Sequence, residues 1–115
     1  MSTIVLRDDG IVFVDCWDGV EFKVADAHET LAKIDGLTGS KPAKHCVDLR
    51  KIKSMERACR EIFANGKHTQ AAALLVSNPL SRVIGNFFLG LSKTAFPLKL
   101  FSDVDGAIAW LRGLG

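Results

Sequence analysis

The sequence predicts an α/β fold: a mixed sheet of about five strands, in which an N-terminal β-hairpin is followed by β-α repeats with parallel strands. Three observations carry this. Two apolar runs, "IVLR" (4–7) and "IVFVDC" (11–16), flank "DDG", and Asp-Gly between such runs signals a hairpin. Farther on, "HCVDL" (45–49), "AAALLVS" (71–77) and "LKLFS" (98–102) each lead into a helix-period pattern, and strands alternating with helices build parallel sheets. Finally, 115 residues suffice for one core, so residues 1–115 are read as a single domain.

Taken in order, the hairpin is followed by "EFKV" (21–24), whose alternation reads as a short strand. Asp26 with Glu29 three residues later gives a capping-box start to a helix with Ala27, Leu31 and Ile34 on one face, stopping between Gly36 and Gly39. After the strand at 45–49, Ser54 is the expected N-cap of a helix with the stripe Met55, Ala58, Cys59, Ile62 and Phe63, closed by Asn65 and Gly66. Asn78 caps the next helix, with Pro79 in its first turn. Ser102 or Asp103 caps the last, whose inward residues are Val104, Ala107, Ile108 and Leu111.

The helix in "SNPLSRVIGNFFLGLSK" (77–93) carries more apolar residues than one stripe needs. Leu80, Val83, Ile84, Phe87 and Leu91 already supply an inward face. On a helical wheel Leu89 then lies opposite that face, with Arg82, Gly85 and Asn86, and Phe88 sits at its margin. Two readings follow. Gly85, Phe88 and Leu89 form a contact between two copies of the chain, making a homodimer, or the loop "SKTAFP" (92–97) folds back so that Phe96 covers Leu89.

Composition narrows the function classes. The net charge of +2 is spread over 15 basic and 13 acidic side chains without a long like-charge run, which gives nucleic-acid binding no electrostatic support. The longest apolar run, "AAALLV", is too short to cross a bilayer. "STIVLRDDG" near the start lacks the pattern of a secretion signal, so a cytoplasmic location is the expectation. Cys16, Cys46 and Cys59 form no C-x-x-C, and His28, His45 and His68 lack the spacing of a zinc site, so no metal and no cofactor is expected. The chain has no G-x-G-x-x-G, P-loop or G-x-S-x-G and no tyrosine. His45 and Asp48, three apart on a strand, face opposite sides and cannot work as an acid/base pair. The expectation is no enzyme.

Parallel strands followed by helices place their carboxyl ends along one edge, where ligands of open α/β sheets bind. Asp48, Arg50, Ser54, Ser77, Asn78, Arg82, Ser102 and Asp103 should gather there. Ser, Asn and Asp at these positions are also what helix caps require.

The hairpin, the strand in "HCVDLRKIKS", "AAALLVSNPLSRVIGNFFLGL" and the closing "PLKLFSDVDGAIAWL" together resemble, over nearly the whole chain, the small bacterial STAS-like domains of the SpoIIAA-like superfamily. The later half looks like an uncharacterised branch of it, which implies a fold and no reaction. In anti-sigma-factor antagonists of this superfamily, a strand ending Asp-Leu precedes a serine that is phosphorylated at a helix start. Asp48 and Leu49 match the strand end and Ser54 approximately matches the serine. "DLRKIKSMERA" lacks an acidic residue beside the serine and a glycine after it, and its spacing from Asp48 is shorter. The resemblance implies a non-catalytic interaction or regulatory module with a protein partner, switched at Ser54. The alternative is a domain that binds a small anionic or acyl ligand, a lipid included, in the crevice at the carboxyl edge.

Overall fold

The computed structural model describes residues 2–64, 69–91 and 96–114. Its main sheet has the order β1-β2-β4-β6-β7, built from β1 (Ser2–Leu6), β2 (Ile11–Cys16), β4 (Ala43–Asp48), β6 (Thr69–Leu75) and β7 (Leu98–Phe101). β1 runs antiparallel to β2, and every other pairing is parallel. This is the mixed five-stranded sheet expected. The hairpin turn follows from "DDG": Gly10 takes φ +82°, the Arg7 N–H donates to Ile11 O at 2.9 Å, and Asp9 accepts from the Ile11 N–H at 3.2 Å.

The segment expected at 21–24 as a strand is shorter and lies elsewhere. β3 (Glu21–Phe22) pairs in parallel with β5 (Ser54–Met55) in a separate two-stranded sheet. Helix α1 (Val24–Thr38) therefore begins before Asp26, whose carboxylate accepts the Lys23 N–H at 2.9 Å, and it ends at Gly39 with φ +67°. Its buried residues are Ala27, Thr30 and Ile34. Thr30 enters the core because its hydroxyl donates to Asp26 O, one turn back, at 2.8 Å.

α1, α2 (Arg57–Ala64) and α3 (Pro79–Leu91) cover one face of the main sheet. The core there runs through Val12, Val14, Phe22, Ile34, Leu49, Cys59, Leu74 and Ile84. Among the described residues the other face is covered by α4 (Val104–Gly113) alone, over a core of Ile11, Cys46, Ala71, Ala73, Leu75, Ala107, Ile108 and Leu111. α4 sits over β6 and also touches β7 and β4. The small residues Ala71 and Ala73 on β6 let it approach closely.

α3 is turned relative to the face expected from its apolar spacing. The buried residues are Ser81, Ile84 and Gly85, while Leu80 is 39% and Val83 60% exposed. Gly85 is not part of an open groove. A Cβ built on it would stand 2.8 Å from Leu100 Cδ2 and 3.2 Å from Val76 Cγ1, so the glycine is where the helix backbone meets the sheet. The expected contact between copies through Gly85 is thus corrected on that residue. The side chains of Phe88 and Leu89, and the loop from 92 to 95, lie outside the described residues.

Candidate functional site

The register of the parallel strands brings Asp48, Leu75 and Phe101 side by side, so the residues that follow them form the carboxyl edge. Main-chain bonds knit it: the Leu49 N–H donates to Leu75 O at 3.0 Å and the Val76 N–H to Phe101 O at 2.9 Å. Asp48 is buried, and Arg50 closes on it as a fork, Nε to Oδ1 at 3.0 Å and Nη2 to Oδ2 at 2.9 Å, with the Arg50 N–H adding a third bond at 3.0 Å. Burial pushes the Asp48 carboxyl up, but the Arg50 guanidinium and backbone N–H outweigh it and hold it below the ordinary carboxylate range. His45, on the opposite face, lies toward the three-helix side, as the strand period requires.

Asn78 ties the next strand to this pair. Its Nδ2 donates to Arg50 O at 3.1 Å, and its Oδ1 accepts the Ser81 N–H at 2.8 Å as the cap of α3. Ser81, which the sequence reading passed over, completes the turn: its Oγ accepts the N–H groups of Ser77 at 2.9 Å and Asn78 at 3.1 Å. Asp103 caps α4 by accepting the Gly106 N–H at 3.1 Å. Asp48, Arg50, Ser77 and Asn78 are therefore one network, with Ser102 and Asp103 on the neighbouring strand end. Arg82 is exposed and does not pair with Asp103; among the described residues its guanidinium has no hydrogen bond or ion pair.

Ser54 is not in that network and does not cap a helix. The chain after β4 runs back alongside β3, so the N–H groups of Lys53 and Ser54 donate to Val20 O and that of Glu56 to Phe22 O at 3.0 Å. α2 starts only at Arg57. Ser54 is half-buried on β5, three residues ahead of α2.

Two features were not read from the sequence. On α2 and α3, Leu80, Val83 and the half-buried Phe87 form an apolar strip, and the guanidinium carbons of Arg57 and Arg60 stand 5.9 and 5.1 Å from the Phe87 ring centre. Arg60 is held there by donating to Met55 O at 3.2 and 3.0 Å. Separately, a cavity of about 70 Å³ lies between the sheet and the helices, lined by apolar side chains with Thr30, His45 and Thr69 among them. Thr69 Oγ1 and His45 Nδ1 are 3.4 Å apart. Among the described residues no cluster of His, Cys, Asp or Glu could hold a metal, and no helix is long and apolar enough to cross a membrane.

The fold is that of SpoIIAA-like proteins. An uncharacterised protein of the DUF3478 family with a SpoIIAA-like fold, from Shewanella loihica PV-4, superposes with a TM-score of 0.64 at 16% identity, over 96% of this chain and 92% of its own. An anti-sigma factor antagonist from Mycobacterium paratuberculosis gives 0.65 at 19% identity, over 97% and 93%. A search of curated proteins finds no match. Matched from residue 4 to residue 114, the chain belongs to the family described as "Domain of unknown function (DUF7793)".

Proposed function

We propose that this chain is a non-catalytic protein-interaction module that docks its partner on the α2–α3 face. The observation that carries the reading is the exposure of Leu80 and Val83, large aliphatic side chains on a helix whose other face already fills the core. Phe87 extends the strip, and Arg57 and Arg60 border it. An apolar strip with a basic border fits a partner segment with apolar anchors flanked by acidic residues. That one structural neighbour is an anti-sigma factor antagonist supports a role exercised on another protein.

Ser54 remains the proposed switch, on different grounds from those of a helix cap. A phosphate on its half-buried hydroxyl would add nearly two negative charges three residues ahead of Arg57 and change the charge of the docking face. Affinity capture from the source cell tests both parts. Val83→Lys should lose the partner while melting like the wild type, and Ser54→Asp should alter the amount captured. Capture that both variants leave unchanged would remove this face from the account.

The cavity supports a second reading, a small apolar ligand held beside Thr30, His45 and Thr69. At about 70 Å³ it is several-fold below the roughly 300–1,000 Å³ of ordinary ligand pockets, so an acyl chain would have to displace core side chains. At the carboxyl edge Arg50 is already committed to Asp48, leaving Arg82 to meet an anion. Native mass spectrometry showing a retained small molecule would favour this reading over the first.

A further inference from the structure

The two edges of the main sheet are not alike. β7 is four residues long, follows Pro97 and carries the exposed Lys99, all features that discourage another strand from pairing with it. β1 is five residues long, "STIVL", with no charge, proline or glycine. Three of the exposed large apolar side chains, Val5 at 50%, Leu6 at 40% and Trp17 at 53%, lie on it or just beyond the strand it pairs with.

We propose that β1 is the pairing edge of a homodimer, in which two copies join their β1 strands antiparallel about a two-fold axis at Ile4 and form one continuous sheet. The backbone sets which groups are free. Arg7 bonds back to Ile11, and antiparallel bonding alternates, so Thr3 and Val5 direct their main-chain groups to β2. Those of Ser2, Ile4 and Leu6 point outward. With the axis at Ile4, Ile4 faces its own copy and Ser2 faces Leu6, and all three outward residues find partners at once. Centring the axis on Thr3 or Val5 would leave one of them over.

The side chains agree with this register. A two-fold axis perpendicular to the sheet keeps each face on its own side, so Thr3 of one copy lies beside Val5 of the other on the face that α4 leaves uncovered. Trp17 already lies over Thr3, its Nε1 donating to Thr3 Oγ1 at 3.0 Å, and there its indole would cover the second copy's Val5. Five paired residues bury less than the roughly 800 Å² per partner of a standard interface, so the dimer belongs to the weak, concentration-dependent class.

Sedimentation of the wild-type chain should show the mass rising from one copy to two across the micromolar range. Ile4→Pro removes an N–H that bonds nothing within the subunit, so it should give a folded monomer. Val5→Lys, which sets charge into the uncovered face, should do the same. Hydrogen exchange on the unmutated protein provides a test that needs no variant: the amides of Ser2, Ile4 and Leu6 should become protected as concentration rises. A wild type that stays monomeric, or a dimer that Val83→Lys dissolves and Ile4→Pro does not, overturns the proposal.

Discussion

Asn78 and Ser54 look equivalent in the sequence, each a small polar residue ahead of an apolar helical pattern, yet only Asn78 caps a helix. Its side chain closes on the Ser81 N–H and reaches Arg50 O, whereas Ser54 is taken up by pairing with β3. Asn78→Ala should lower stability by about 1 kcal/mol or somewhat more, since it removes the cap and the link to Arg50 together. Ser54→Ala should stay within about 0.5 kcal/mol, as for a surface change that breaks no cap. Urea unfolding of the two variants side by side checks the contrast. A second residue contributes, beside Asp48, to behaviour in acid. Hydrogen bonds from Arg7, and with them the Ile11 N–H and Arg112, hold the Asp9 carboxyl at about 2. An unfolded aspartate titrates at about 4, so on acidification the unfolded chain takes up the proton first. The stabilisation is complete above that pH and is lost as pH falls to about 2. Asp9→Asn should flatten the fall of melting temperature across this interval.

Among the elements, α3 shows how far a periodic pattern can be trusted. Its existence, its start at Pro79 and its cap were legible, but not its rotation. Counting apolar residues ranks Val83 above Gly85 and Leu80 above Ser81, and the structure reverses both. Ser81 is inside because its hydroxyl satisfies two N–H groups of the turn before it, and Gly85 because the sheet leaves no room for a side chain. Neither cause is a matter of hydrophobicity. Gly85→Ala should come out near neutral, since the helix gains about 1 kcal/mol of propensity while the tip of Leu100 swings aside and Val76 does not. Gly85→Leu has no such escape and should cost about 1–3 kcal/mol by overpacking, measurable by thermal melting. The carboxyl edge was legible for the same reason the sheet was: parallel strands fix where their ends fall, so Asp48, Arg50, Ser77 and Asn78 were brought together by topology. Ser54 was misplaced because β3 and β5 are two residues each, too short to leave a period.

At the scale of the whole molecule, the sheet divides the interior into two cores of unequal cover, among the described residues three helices on one side and one ten-residue helix on the other. Each contains free thiols: Cys16 and Cys59 beneath the three helices, Cys46 beneath α4. Burial pushes Cys16 and Cys46 up to about 12 and raises Cys59 as well. At neutral pH almost none of them is thiolate while the protein is closed, and reaction with a thiol reagent must wait for an opening that brings in water. The molecule therefore carries its own clocks, one set on each side of the sheet. Because α4 is the one helix over Cys46 among the described residues, its labelling should run ahead of Cys16 and Cys59 under native conditions, as mass spectrometry of the digested protein would record. Equal rates at all three would mean that the two sides open only together.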